Sequence, residues 1–259
     1  MAGARRPVSD VEQMDERFEG SAPITMLRHP ILSAGRTGWH RHRRSQILYA
    51  TSGLMVVTTE RDVWMVPTGH ALLIASNMPH DAACQGPLGL CTAFVEPSVP
   101  EAQVFPKAGF RLVRVSSLLD SALRALAEER GDFERNGRTG LLTRVVVHEV
   151  ERAEDAPYAL PMPADPRLRK ICQALIDDPA LEHGLDDWAA EGGISRRSLT
   201  RRFREETSLS FAEWRRRLRA ARALIKQAEG VPLNAAAAAL GYSSAQNLRV
   251  MMERTAQRV

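Results

Sequence analysis

Cysteine is scarce in this sequence: Cys84, Cys91 and Cys172 are the three among 259 residues, and no two of them stand as C-x-x-C. An odd, sparse set excludes a disulfide framework and fits a reducing compartment. Long apolar runs are missing too. None approaches the roughly 20 residues of a helical membrane span. The first twenty residues carry basic side chains with no apolar stretch behind them, so they do not read as a secretory signal. The expectation is a flexible polar leader over residues 1–20 on a cytoplasmic protein with no membrane partner. A nucleophile–His–acid pattern and a phosphate-cradling glycine loop are also absent, which leaves acyl and phosphoryl transfer without recognisable machinery.

What is there is a globular composition, 44% apolar and 25% charged, at a length sufficient for two domains. The formal charge of +4 is unevenly placed. Residues 164–259 hold 17 Lys+Arg against 12 Asp+Glu, a net of +5, and the remainder holds 18 against 19, a net of −1. Between Arg196 and Lys226 eleven basic residues face three acids, Glu205, Glu206 and Glu213. Such a cluster is the electrostatic footprint of a phosphate-backbone binder, and it is equally what a solvated helix face looks like.

From about Ile24 to Glu96 the pattern is one of short strands. Gln46–Ala50, Leu54–Thr58, Val63–Val66, Ala71–Ile74 and Leu90–Val95 are brief apolar runs separated by turn residues such as Ser52-Gly53 and Pro67-Thr68-Gly69. Closely spaced short strands predict a sandwich or barrel. From Ser116 the period turns helical. Leu118, Leu119, Ala122, Leu123 and Leu126 form one stripe, and Leu141, Leu142, Val145, Val146 and Val150 form another. These two helices are expected to pack on the barrel or on the same helices of a second subunit. The proline-rich segment Pro157–Pro163 reads as a linker.

Beyond Asp165 the pattern is helical nearly throughout. Twice a short helix, a glycine turn and a Ser-capped helix follow one another. The first set is Leu185–Ala190, Gly192-Gly193 and Ser195–Glu205; the second is Leu233–Leu240, Gly241 and Ser244–Arg254. That is the helix-turn-helix arrangement. A connecting helix of roughly 18 residues would span about 27 Å, which suits two major grooves about one DNA turn apart. With Leu199 and Phe203 inward, Arg197, Thr200, Arg201 and Arg204 point outward, and Arg196 starts the same helix. With Leu248 and Met252 inward, Gln246, Asn247 and Arg249 are the exposed polar set. Arg can grip guanine bidentately, and Gln or Asn can read adenine.

At these residues the sequence resembles the AraC/XylS family of transcription regulators. The resemblance rests on Ser195-Arg196-Arg197-Ser198-Leu199-Thr200-Arg201-Arg202-Phe203, on Phe211-x-x-Trp214 with Leu218-Arg219, and on Ala239-Leu240-Gly241-Tyr242-Ser243-Ser244, and it covers residues 165 to 255. It implies two helix-turn-helix units joined by a long helix. It also implies base-reading positions at Arg197, Thr200 and Arg201, then at Gln246, Asn247 and Arg249. Leu248 and Met252 stand where the family usually has Phe, and Ser208 where it usually has Gly. The sequence stops at Val259, short of the family's Gly-x-Ser-Pro and closing helix, so the second unit is expected to be the less stable and the weaker on DNA.

In the N-terminal half, Trp39-His40-Arg41-His42 precedes a strand and His80 follows another. On an extended segment His40 and His42 point to the same side. With a third His and a nearby carboxylate or amide they can surround a divalent metal. A solvated basic loop around Arg41, Arg43 and Arg44, with His80 capping a turn, accounts for the same residues. The arrangement resembles a cupin barrel, whose metal motif is His-x-His, then Glu, then a later His, and Gln46 falls at the Glu position. A small organic effector is the other occupant such a barrel could take, with Trp39, Tyr49 and Trp64 as candidate lining or as plain core.

The expected architecture is α+β, a cupin-like β-barrel followed by an all-α domain with two helix-turn-helix units. Residues 21–100 would form the sensor barrel, 101–156 a helical dimerisation segment, 157–164 a linker, and 165–259 the DNA-binding domain. The expected function is that of a homodimeric regulator of transcription, not an enzyme. It would bind double-stranded promoter DNA and respond by population shift to a small molecule or metal. The rival expectation is a metallo-cupin dioxygenase or isomerase fused to a helical domain. The neutral Gln46 and the polarised charge argue against that rival.

Overall fold

A computed structural model describes residues 22–32, 35–84, 86–107, 109–129 and 132–256. The leader expected over residues 1–20 and the terminal residues 257–259 lie outside the described residues. The chain divides into two compact units, Met1–Thr59 with Val66–Ala156, and Glu60–Met65 with Pro157–Val259.

The strands, in chain order, are β1 (Ile24–Leu32), β2 (Ser45–Ser52), β3 (Leu54–Thr58), β4 (Asp62–Pro67), β5 (His70–Ile74), β6 (Asp81–Cys84), β7 (Leu88–Val95), β8 (Phe110–Arg114) and β9 (Ala159–Pro161). In the first unit β1-β7-β2-β5-β8 form a five-stranded antiparallel sheet, and β3 pairs with β6 apart from it. The sheets are antiparallel as a cupin-like unit requires, with no closed ring of pairing among the described residues. β2 sits between β7 and β5 and is buried from Ser45 to Ala50, so its sequence runs apolar instead of alternating. Gly53, between β2 and β3, takes a positive φ of 78°, and a Cβ there would collide with the Pro87 carbonyl.

Two helices cover one face of the five-stranded sheet. α1 (Ser117–Glu128) is capped by Ser116, whose hydroxyl accepts from Leu119 N at 3.0 Å, and it buries Leu119, Ala122, Leu123 and Leu126. α2 (Arg138–Arg152) buries Gly140, Thr143, Val146 and Val150. These side chains join Ile47, Tyr49, Ala71, Leu73, Cys91, Ala93, Val95 and Val113 in one core. Each fully buried aliphatic chain contributes about 1.5–3 kcal/mol. A polar tie adds direction: Tyr49 Oη donates to Asp120 Oδ1 at 2.6 Å, and Arg124 Nε donates to the same oxygen at 2.7 Å. Burial and that hydrogen bond push the Tyr49 phenol well above its ordinary range. The inner stripes are therefore satisfied within the unit, whereas Leu118 and Leu141 stand 56% and 55% exposed on the outer side.

The second unit opens with β4 and β9 in register, Val63 opposite Leu160 and Trp64 opposite Ala159. Residues 157–164, expected to be a linker, thus carry a strand, and Trp214 Nε1 donates to Pro161 O at 2.9 Å. Six helices follow: α3 (Pro166–Asp177), α4 (Leu185–Glu191), α5 (Arg196–Thr207), α6 (Phe211–Ala228), α7 (Leu233–Ala239) and α8 (Ala245–Ala256). Asp165 caps α3 and pairs with both Arg167 and Arg202. The Arg167 contact is the main reason its carboxyl lies far below the usual range. Around α6, Phe203, Phe211 and Trp214 meet edge-on, Phe203 lying 5.3 Å from Phe211 and 6.2 Å from Trp214.

Candidate nucleic-acid interface and effector site

α4, the Gly192-Gly193 turn and α5 form the first helix-turn-helix. Gly193 takes φ 61°, and the turn closes through Gly193 N to Ala190 O at 3.1 Å and Ile194 N to Ala189 O at 3.0 Å. Ser195 caps α5 by accepting from Ser198 N at 3.1 Å. Leu199 and Phe203 are buried, which turns Arg197, Thr200, Arg201 and Arg204 outward, and all four are exposed. Arg201 forms an i,i+4 pair with Glu205 at 2.8 Å, and Thr200 turns its hydroxyl back to Arg196 O at 3.0 Å. Arg196, also exposed, reaches Asp186 of α4 at 2.9 Å and so ties the two helices of the unit together.

α7, Gly241 and α8 repeat the arrangement. Ser244 is the capping serine, accepting from Asn247 N at 3.2 Å. Leu248 and Met251 are buried, while Met252, expected inward, is half-buried. Gln246, Asn247 and Arg249 are exposed, and Asn247 Nδ2 donates to Ser243 Oγ at 3.0 Å. α6 runs 18 residues between the units from its cap at Ser210.

The basic run needs one correction. Arg215, Arg219 and Arg222 do not face outward as part of an electrostatic footprint. Arg222 donates to Ile176 O at 2.6 Å and Arg219 to Pro179 O at 2.9 Å, while Arg215 donates to Leu181 O and, at 3.2 Å, to His183 O. They occupy one face of α6 at i, i+4 and i+7 and satisfy the carbonyls at and beyond the end of α3. Burial lowers the pKa of Arg215 and Arg222. Arg202 is likewise held, by Asp165 at 3.0 Å. The outward positive face is consequently that of α5, not of the connecting helix.

In the first unit the three nominated histidines converge. His40 and His80 form an isolated antiparallel bridge, with His40 N to His80 O and His80 N to His40 O both at 2.9 Å. Ring centroids lie 4.2 Å apart for His40–His80, 5.2 Å for His42–His80 and 6.0 Å for His40–His42. One ring nitrogen from each falls within 4.8 Å of the others. Gln46 Oε1 lies 3.0 Å from His42 Nε2. His42, Gln46 and His80 are buried and His40 is half-buried. Burial first, then the neighbouring His40, pushes the His80 imidazole down to about 3, so it is neutral. A solvated basic loop is thus the wrong description of this segment. Arg41 and Arg43 are exposed, but Arg44 is buried, donating to Ala22 O at 3.0 Å. The nominated aromatics do not line this cluster together: Trp39 is 47% exposed, Tyr49 sits in the sheet–helix core, and Trp64 lies in the β4–β9 pair of the other unit. Sequence reasoning missed Thr92, whose hydroxyl accepts from Gln46 Nε2 at 3.0 Å. No local pattern signals it, since Thr92 stands 46 residues away on β7.

Two helix-turn-helix units behind a sheet-rich unit with an inward polar cluster define a DNA-binding regulator with a ligand-binding domain. Comparison with known proteins agrees. An AraC-like ligand binding domain matches residues 32–178 and a helix-turn-helix domain matches residues 188–258. The chain belongs to the AraC/XylS family of transcription regulators. It is 29% identical over 205 residues to the HTH-type transcriptional regulator NimR of Escherichia coli, covering 79% of this chain and 74% of that protein. It is 32% identical over 88 residues to the HTH-type transcriptional regulator RipA of Corynebacterium glutamicum, covering 34% of this chain and 27% of that protein. The crystal structure of ToxT from Vibrio cholerae O395 aligns over 91% of this chain and 94% of its own at 11% identity, with a TM-score of 0.37. The metallo-cupin enzyme is not supported; the protein is a regulator. No helix among the described residues is long and apolar enough to cross a membrane.

Proposed function

We propose that this regulator works in the cytoplasm as a homodimer, with α5 and α8 of each subunit in successive major grooves of promoter DNA. Arg197, Thr200, Arg201 and Arg204 on α5, and Gln246, Asn247 and Arg249 on α8, read base edges, while Arg196 contacts the phosphate backbone. The carrying observation is the exposed face of α5: its polar side chains stand over buried Leu199 and Phe203 on a helix capped by Ser195. The connector supports the spacing, since 18 residues of helix reach about 27 Å. Exposed Leu118 and Leu141 on the outer sides of α1 and α2 supply the apolar surface for pairing with a second copy. A small molecule or metal held in the N-terminal unit shifts the population of the DNA-binding state.

In vitro selection from random duplexes with the full chain tests this reading. Enrichment of a two-part site, with halves about one helical turn apart, is expected. Recovery of unenriched sequence would reduce the interface to non-specific phosphate contact.

A further inference from the structure

The start of α3 and the last turns of α5 meet at one residue. Asp165 caps α3, its Oδ1 accepting from Arg167 N at 2.9 Å, and Arg167 Nη2 donates to its Oδ2 at 2.8 Å. The same Oδ2 accepts from Arg202 Nη1 of α5 at 3.0 Å, and the Asp165 backbone N–H donates to Glu206 Oε2, also on α5, at 2.9 Å. The Glu206 contact fills a gap. In a capping box the third residue of a helix carries a carboxyl or amide oxygen that reaches back to the N–H of the cap. The third residue of α3 is Leu168, which is buried and has no side-chain acceptor. Glu206 supplies from another helix what Leu168 lacks, and it adds negative charge at the positive end of α3. A cap for α3 alone needs neither Arg202 nor Glu206.

These contacts sit where they control rotation of α5. At about 100° per residue, Arg202 and Glu206 fall on the stripe of Leu199 and Phe203, opposite Arg197, Thr200, Arg201 and Arg204. Leu199 and Phe203 hold α5 by apolar packing, which is non-directional. The tie of Arg196 to Asp186 is exposed on both sides, 60% and 74%, and joins α5 only to its partner helix α4. Asp165, by contrast, is a fixed post. Its side chain is 8% exposed, and the carbonyls before it are held: Pro161 O accepts from Trp214 Nε1 at 2.9 Å, and Pro163 O from Arg169 Nε at 3.1 Å. A turn of about 10° about the axis of α5 moves side-chain tips 5–6 Å away by about 1 Å. That exceeds what a recognition geometry tolerates, about 0.5 Å.

We propose that Asp165 is a positioning residue for base recognition. Through Arg202 and Glu206 it clamps α5 at the rotation that aims Arg197 and Arg201 at base edges, and it touches no DNA itself. The proposal rests on α5 being the reading helix.

The test uses the full chain in anisotropy titrations on selected and random duplex across a range of salt. Asp165→Ser keeps an oxygen for the cap of α3 and removes the one that holds Arg202. Charge alone predicts tighter binding to any duplex, since a carboxylate is gone. The clamp predicts the opposite on the selected duplex, a loss of about 5–20-fold, part of what one bidentate base contact is worth. Random duplex should be bound no more weakly than before. Arg202→Met should lower the ratio of selected to random affinity by a similar factor, and Glu206→Ala should act in the same direction. The Asp165→Ser, Arg202→Met double variant should lower the ratio no further, because both residues act through one contact. Far-UV circular dichroism and a urea titration report that each variant is folded. Should Asp165→Ser not fold, Arg202→Met and Glu206→Ala, which leave the cap oxygen in place, still decide. An unchanged ratio in the folded variants overturns the clamp, as do losses that multiply in the double variant. An equal loss on both duplexes, with the salt slope of Arg202→Met down by about one, also overturns it and makes Arg202 a phosphate contact. Arg201→Ala separates the clamp from the reading beneath it. Preference lost there but kept in the clamp variants overturns the clamp alone; preference kept in all of them overturns both.

Discussion

Replacing Arg219 by Ala should damage stability before it damages DNA binding. Its Nε donates to Pro179 O at 2.9 Å, and its guanidinium stands 5.4 Å over the ring of Tyr242. A Cβ on Gly241 would lie 3.3 Å from Arg219 Nη2 and from Ala180 O, so three chain segments crowd round this one side chain. Arg219 thereby joins the loop after α3 to the turn of the second helix-turn-helix. A charged hydrogen bond to a part-buried carbonyl is worth about 1.5–3 kcal/mol, and an exposed cation–π contact adds about 0.5–1 kcal/mol. Allowing for half-exposure, the loss should be about 2–3 kcal/mol. For a unit of this size that lowers the thermal midpoint by about 8–20 °C. Urea titration of the full chain, followed by the fluorescence of buried Trp188 and Trp214, measures it directly. Suppose instead that stability stays within about 0.5 kcal/mol while the salt dependence of DNA binding falls by about one unit of slope. Arg219 would then be a phosphate contact, and the structural role given to the arginines of α6 would be refuted.

Arg201→Ala should leave stability almost unchanged, because its i,i+4 pair with Glu205 is exposed and worth about 0.3–0.5 kcal/mol. On the selected site it should cost about 1–3 kcal/mol and relax preference at one base pair; equal losses on selected and random duplexes in anisotropy titrations would reassign it to the backbone. Leu118→Glu with Leu141→Glu should turn a dimeric full chain into a monomer by sedimentation, since both side chains are more than half exposed; an unchanged mass would place pairing elsewhere. Ser208 ends α5 in the left-handed region at φ 59°, so Ser208→Gly should raise stability by about 1 kcal/mol in a urea titration. No gain would mean that the serine side chain compensates for its backbone.

The helical half was readable because its signals are local. Serines at 195, 210 and 244 cap helices whose apolar residues recur at the helical period, and the bounds fall within a residue or two of those expected. The run of arginines misled because a long aliphatic stem lets Arg lie half-buried with its head on carbonyls. The spacing of Arg215, Arg219 and Arg222 was visible, but their carbonyl partners on residues 176–183 were not. Among the strands, β1, β6 and β8 lacked the compact apolar run that marked β2 and β5. β9 hid behind prolines, which an edge position tolerates. For the cluster, His40, His42, Gln46 and His80 follow from spacing and resemblance, whereas the contact of Gln46 with Thr92 joins strands 46 residues apart and has no local signal.

The most direct test of the account compares wild-type full chain with the Arg197→Ala, Arg201→Ala double variant on the selected duplex and on random duplex, across a range of salt. The account predicts that wild type binds the selected site about a thousandfold or more tighter than random DNA, with affinity falling steeply as salt rises. The double variant should lose most of that preference and keep much of the salt dependence, because Arg196, the phosphate contact, remains. Equal affinity of wild type for selected and random DNA, or a double variant with undiminished preference, would contradict the assignment of α5 as the reading helix.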